Sequence, residues 1–299
     1  MVVRILGSAA GGGFPQWNCN CRVCTAARNG HGRALPRTQS SIAVRAEAGP
    51  WYLVNASPDL RQQLAELPHE RTDGLRVTPV AGIVLTDAEI DHTAGLLLMR
   101  ESSVPLRVYS SEAVRRALTD HYPVLTMLDR YCGVEWSRLD PGERILLDDV
   151  LEVEAFSAGG DPPLYMDGAG AETGVTASGL TIHDGETGGV LTYAPALEAI
   201  DDEITERLRA SDYVAIDGTF WSADELVSLG LAERDAYAMG HVPLTGPAGS
   251  LATLQELPGK AILLHVNNTN PILLDDSEER ALVAASGVEV AYDGMEIRL

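Results

Sequence analysis

Positive charge is scarce in this chain. Its 299 residues hold 22 Lys+Arg against 43 Asp+Glu, a formal net charge of −21. Nucleic-acid binders need a basic face to neutralise phosphates, so this excess of acid argues against such a partner. Arg100 with Arg107, and Arg115 with Arg116, are the candidates for a local basic patch. No apolar run approaches the roughly 20 residues of a bilayer-spanning helix. The opening apolar stretch, MVVRIL, stops at Leu6 before a secretory core could form. A soluble, cytoplasmic protein with no membrane partner is expected. Internal repeats and low-complexity linkers are missing too, so residues 1–299 read as one domain. The 45% apolar, 22% charged composition is enough for a sizeable core.

Cysteine is also rare, with four in the chain, too few for a disulfide framework in a protein of this length. Three of them nevertheless crowd into WNCNCRVC as Cys19, Cys21 and Cys24. Thiolates spaced C-x-C-x-x-C suit three corners of a tetrahedral Zn²⁺ site, so a structural zinc knuckle over about residues 17–30 is expected. A cluster of free thiols is the plainer alternative. Cys132, alone, reads as a small buried hydrophobe.

Short apolar runs alternate with turn residues and helical segments. VVRIL, SIAVRA, PWYLVNA, AGIVLTD, LRVYSS, YVAID and KAILLHV read as strands, and ASGLTIHDGETGGVLTYAP as a hairpin. DLRQQLAEL, SEAVRRAL, ADELVSLG, the stretch from Leu197 to Ala210 and the start HTAGLLLM read as helical. The Gly- and Pro-rich stretch from Ser157 to Thr176 is too long for an ordinary connection. Within it, Pro163, Leu164 and Tyr165 are candidates to touch an aromatic substrate. Two sets of strands, each mixing hairpins with helix crossovers, predict two sheets sandwiched between helices.

The densest chemical signal is LTDAEIDHTAGLL. A buried strand runs straight into Asp87, Glu89, Asp91 and His92, ligand types suited to one or two metal ions. An acidic helix N-terminus reads the same residues as capping groups. Two further strand ends tip the balance toward metal: Asp217 closes YVAID, and His265 closes AILLH. His241, in MGHVPLT, is either an active-site residue or the fourth ligand of the cysteine zinc, with Asn268 another neighbour of that zinc. His31, His69 and His121 read as surface residues, and His183 as packing. GSAAGGG lacks the G-x-G-x-x-G spacing of a dinucleotide loop and reads as a flexible turn.

Together MVVRILGSAAGGGFPQWNCNC, TDAEIDHTAGLL, DGTFW, MGHVPLT and HVNNTNP resemble the pyrroloquinoline quinone biosynthesis protein B (PqqB) family, over essentially the whole chain. The resemblance implies the αββα sandwich of the metallo-β-lactamase superfamily, with metals at the sheet edges. Typical hydrolases of that superfamily carry H-x-H-x-D-H where this chain has Asp87, Glu89, Asp91 and His92. A further histidine expected near Ser157–Gly160 is not there. One metal pocket has thus lost imidazoles, while the other keeps Asp91, His92 and His265, with Asp217 in the usual bridging place.

Two imidazoles and a carboxylate with open positions form the ligand set of non-haem Fe(II) oxygenases, although His and Asp suit Zn²⁺ as well. Asp87 and Glu89 are left as holders of a weak second metal or as acid–base groups. The resemblance further implies an iron-dependent hydroxylase that uses O₂. Its substrate would be a peptide-derived intermediate in which a glutamate is cross-linked to a tyrosine, with the tyrosine ring oxygenated. A zinc hydrolase and a carrier of the finished quinone are the competing expectations.

Overall fold

Apolar side chains fill both faces of the central strands, which is why those strands read as continuous runs and not as alternating ones. In the computed structural model, which describes residues 1–30, 34–68, 75–166 and 177–299, the strands form two seven-stranded sheets. The first holds β1 (Val2–Gly7), β2 (Ser41–Arg45), β3 (Trp51–Val54), β4 (Val80–Val84), β5 (Leu106–Ser110) and β6 (Val134–Arg138). The second holds β7 (Arg144–Leu147), β8 (Leu151–Gly159), β9 (Ala177–Asp184), β10 (Val190–Ala194), β11 (Tyr213–Asp217), β12 (Lys260–Leu264) and β13 (Glu289–Val290). The chain closes with β14 (Glu296–Arg298), which returns to pair antiparallel with β1.

Each sheet is antiparallel in one half and parallel in the other. β3, β4, β5 and β6 run parallel in the first sheet, as do β10, β11, β12 and β13 in the second. Residue period then sorts side chains into three layers. Val3 and Ile5 of β1 meet Ala215, Ile262 and Leu264 between the sheets. Val2 and Leu6 face the opposite way, onto the helical layer with Leu60, Leu96 and Leu118. On the far side Val214, Ile216 and Leu263 pack under the helices that carry Ile204, Leu254 and Val283. The result is the αββα arrangement that the strand pattern and the resemblance led us to expect.

Several local expectations change. HTAGLLLM is not one helix: a single turn, Ile90–Thr93, passes into a 3₁₀ stretch, Ala94–Glu101. The helix expected from Leu197 begins at Asp202, where Asp201 caps it by accepting from the Ile204 N–H (2.8 Å). His183 does not pack but faces solvent from β9. The cysteine segment contains a helix, Arg22–Arg28, that its short apolar spacing does not announce. Arg115 and Arg116 both pair with Glu112, Arg107 with Glu135 and Arg100 with Glu101. His31, His69 and residues 167–176 of the long loop lie outside the described residues. Among those residues no helix is long and apolar enough to cross a membrane.

Candidate metal centre

Parallel pairing brings the ligand-type residues together. The register sets Asp217, the last residue of β11, beside Leu264 of β12, so Asp217 and His265 emerge side by side from adjacent strands. His265 turns off the strand with φ 56°, a left-handed backbone that few non-glycine residues adopt, though His does so more than most. Facing them from the first sheet, the end of β4 delivers Asp87, Asp91 and His92. The turn there is held by Asn55, whose side-chain oxygen accepts from the Thr86 N–H (3.0 Å). Ser178 at the start of β9 donates its N–H to the Thr86 carbonyl (2.8 Å) and ties the two sheets at this rim.

Two overlapping ligand groups result, Asp91–His92–His265 and Asp217–His241–His265, and within each the donor atoms lie within 4.8 Å of one another. His265 Nε2 is 3.3 Å from Asp91 Oδ2, and the His92 and His265 rings meet edge-on at 5.1 Å. His92 presents Nδ1 to Asp87 Oδ2 at 2.7 Å, while its Nε2 is buried with no hydrogen-bond partner. A buried imidazole nitrogen left open, with its other nitrogen held by a carboxylate, is the arrangement of a metal-bound histidine. Burial opposes charge on His92, yet Asp87 and Asp91 outweigh it and push the imidazole up to about 9. A cation at Nε2 would take the place of that proton.

Asp87 is spent on support. Its carboxylate accepts from Thr86 Oγ1 (2.8 Å), from the Glu89 N–H (2.9 Å) and from His92. Glu89, the N-cap of the short helix, makes no side-chain cap bond, so capping does not account for this acidic run. Glu89 stands at the rim, exposed by area yet crowded by protein. That desolvation, then Asp87 and Asp91, push its carboxyl up to about 7.

His241 belongs to this centre and not to the cysteines: its Nδ1 is 2.7 Å from Asp217 Oδ2, and its ring stacks on His265 at 5.4 Å. Asp217 is fully buried and also accepts from the Leu197 N–H (3.0 Å) and Thr219 N–H (2.9 Å). Burial works against its charge, but His241 and His265 hold it well below the usual carboxylate range. Thr219, which sequence reading passed over, puts its hydroxyl 2.6 Å from Asp217 Oδ1 and 2.9 Å from His265 Nδ1. With Nδ1 turned to that hydroxyl, His265 directs Nε2 toward Asp91. The D-G-T spacing, a carboxylate two residues before a Thr N–H, is the available sequence signal for this turn.

Asp91, His92, Thr219, His241 and His265 floor a cavity of about 330 Å³ whose walls include Phe220, Leu226, Met239 and Leu164. Behind one wall lies Glu225, 8% exposed, accepting from the Trp221 N–H (2.7 Å) and Thr269 Oγ1 (2.5 Å). Burial pushes it up to about 7. The native state therefore holds a proton that the unfolded chain gives up, and stability falls as pH rises from about 4.5 to 7. Glu225→Gln is expected to flatten that slope, gaining roughly 2 kcal/mol on the parent at pH 8 relative to pH 5; urea melts at the two pH values measure it.

Cys19, Cys21 and Cys24 form a separate group with sulfurs within 4.8 Å of one another. Cys21 caps its helix, accepting from the Cys24 N–H (3.3 Å), and Asn268 Nδ2 donates to Cys24 Sγ (3.3 Å). Burial, then the adjoining sulfurs, push the Cys21 thiol up to about 12, a crowding that Zn²⁺ would relieve. Val23, Cys24 and Ala27 pack with Val266 and Ile272, so the cysteine segment braces the segment that follows His265.

The beta-lactamase superfamily domain matches residues 50–266, which sets the class of protein. Coenzyme PQQ synthesis protein B of Cupriavidus necator is 44% identical over 302 residues, covering 99% of both chains. The crystal structure of Zn²⁺-bound PqqB from Methylobacterium extorquens superposes with a TM-score of 0.91 at 37% identity, over 100% of each chain. A diphosphatase of the PhnP family shares the fold, with a TM-score of 0.70 at 20% identity, covering 99% of this chain and 96% of its own. The chain belongs to the coenzyme PQQ synthesis protein B family.

Proposed function

We propose that this chain is a metal- and O₂-dependent hydroxylase acting on the tyrosine ring of a peptide-derived, glutamate–tyrosine cross-linked intermediate in PQQ synthesis. One observation carries the reading: two imidazoles and one carboxylate, His92, His265 and Asp91, converge on a cavity floor, with His92 Nε2 buried and unpartnered. This is the donor set of non-haem iron oxygenases. When bound there, Fe(II) would supply O₂ activation. The protein's own part is to orient and to move protons. Asp87 and Thr219 hold the imidazoles in place, Phe220 and Leu226 offer an apolar wall to the ring, and Glu89, poised near neutrality, with His241, handles the phenolic proton.

The second ligand group, Asp217–His241–His265, favours a competing reading, a two-metal zinc hydrolase, because His241 returns an imidazole that the motif order lacks. The discriminating experiment uses anaerobically prepared, Fe(II)-loaded protein, the cross-linked substrate and an added two-electron reductant such as ascorbate, so that one oxygen atom of O₂ enters the ring and the other leaves as water. Hydroxylated product should form in proportion to O₂ consumed. Full conversion under strict anaerobiosis, or O₂-indifferent ester cleavage by the zinc form, would replace the hydroxylase with the hydrolase.

The cysteine group is a structural zinc knuckle in this reading. Cys21→Ser should release one equivalent of zinc and lower the melting temperature by about 5–10 °C. Metal analysis and calorimetry check it, and an intact knuckle that contains no zinc would refute it.

A further inference from the structure

Among the described residues lining the cavity, Arg234 is the only arginine or lysine, while Asp87, Glu89, Asp91 and Asp161 are all acidic. Arg234 reaches across the mouth to Asp161, Nη2 to Oδ2 at 2.8 Å, with the two side chains 44% and 76% exposed. Pairs this exposed add little to stability. Neither wall depends on the pair. The Asp161 loop is pinned where the Gly160 N–H donates to Glu198 Oε2 (2.9 Å). The Arg234 loop is pinned where the Ala236 N–H donates to the Ala223 carbonyl and Asp235 accepts from the Ala238 N–H (2.8 Å). A guanidinium offers five donors, and Asp161 takes one of them.

We infer that Arg234 is a substrate anchor: a free carboxylate of the substrate displaces Asp161 and pairs with the guanidinium while the aromatic part reaches the cavity floor. The site would thus select aromatic molecules that carry free carboxylates, and Asp161 would hold the arginine in place until one arrives. This deepens the proposed function by assigning the residue that receives the substrate's carboxylate. It rests on that reading for which end of the ligand reacts, and not for the reaction itself.

The test is equilibrium binding to the zinc-loaded protein, which needs no turnover. The probes are pyrroloquinoline quinone, a tricarboxylic acid, and its trimethyl ester, titrated by calorimetry. Arg234→Ala should weaken binding of the acid about tenfold or more, the loss of a charge-assisted pair, and leave the ester unchanged. Arg234→Lys should recover part of the loss. Asp161→Asn should tighten the acid several-fold, because the competing carboxylate is gone. Equal weakening by Arg234→Ala and Asp161→Asn, for acid and ester alike, would make the pair a structural strap and overturn the proposal. So would an acid affinity indifferent to Arg234, or no binding of the acid at all. Should turnover prove independent of O₂ while this binding pattern holds, the hydroxylase reading falls and the anchor stands.

Discussion

Replacing His92 with alanine is expected to lower kcat/KM by about a thousandfold or more, on the order of 4 kcal/mol of transition-state stabilisation, and to remove the active-site metal. The fold should survive. Asp87 keeps two other hydrogen bonds, from Thr86 Oγ1 and the Glu89 N–H, so the substitution does not strand a buried carboxylate. Asp87→Asn separates holding from ligating. It keeps the shape but loses the charge that fixes the imidazole, so metal affinity should fall by about 10- to 100-fold and leave measurable activity. Equal effects from the two variants would mean that Asp87 is itself a ligand. Metal titration alongside steady-state kinetics distinguishes these outcomes.

A large effect on stability is also expected from Gly95→Ala, a change that touches no ligand. A Cβ on Gly95 would lie 2.1 Å from the Ser57 carbonyl oxygen and 2.8 Å from both the Ala56 oxygen and Leu60 Cβ. The first two are backbone atoms with little room to retreat. The contact is close because two hydrogen bonds draw the segments together, Gly95 N–H to the Ala56 carbonyl (2.9 Å) and Ala56 N–H to the His92 carbonyl (2.7 Å). Overpacking of this kind costs roughly 3 kcal/mol, or about 5 °C in melting temperature. Because the strain falls on the bond to His92, metal affinity should drop in parallel. Thermal melts of the metal-loaded and metal-stripped protein check both effects. A Gly95→Ala protein as stable as the parent would show that the loop after β3 is free to move away.

The strand ends that carry the candidate ligands were legible because their chemistry is local. A buried apolar run that stops at Asp217 or His265 announces itself, and parallel register then puts neighbouring strand ends side by side. What stayed hidden depends on the fold. His241 sits on a loop with no pattern of its own, and only tertiary structure shows that it meets Asp217 and not the cysteines. Arg234 is one exposed arginine among many until the cavity singles it out. Helix limits erred where a backbone group had other business. Leu197 reads as helical, yet its N–H is committed to Asp217 Oδ2. HTAGLLLM has helical periodicity, yet the close approach at Gly95 goes with a tighter 3₁₀ path.

All of the chemistry proposed here needs a cation among Asp91, His92 and His265. Anomalous diffraction at the iron edge, from crystals grown anaerobically with Fe(II), tests that directly. A peak within bonding distance of His92 Nε2, His265 and the Asp91 carboxylate is the result expected. A peak confined to the cysteines, or iron-loaded crystals with none at this rim, would contradict it.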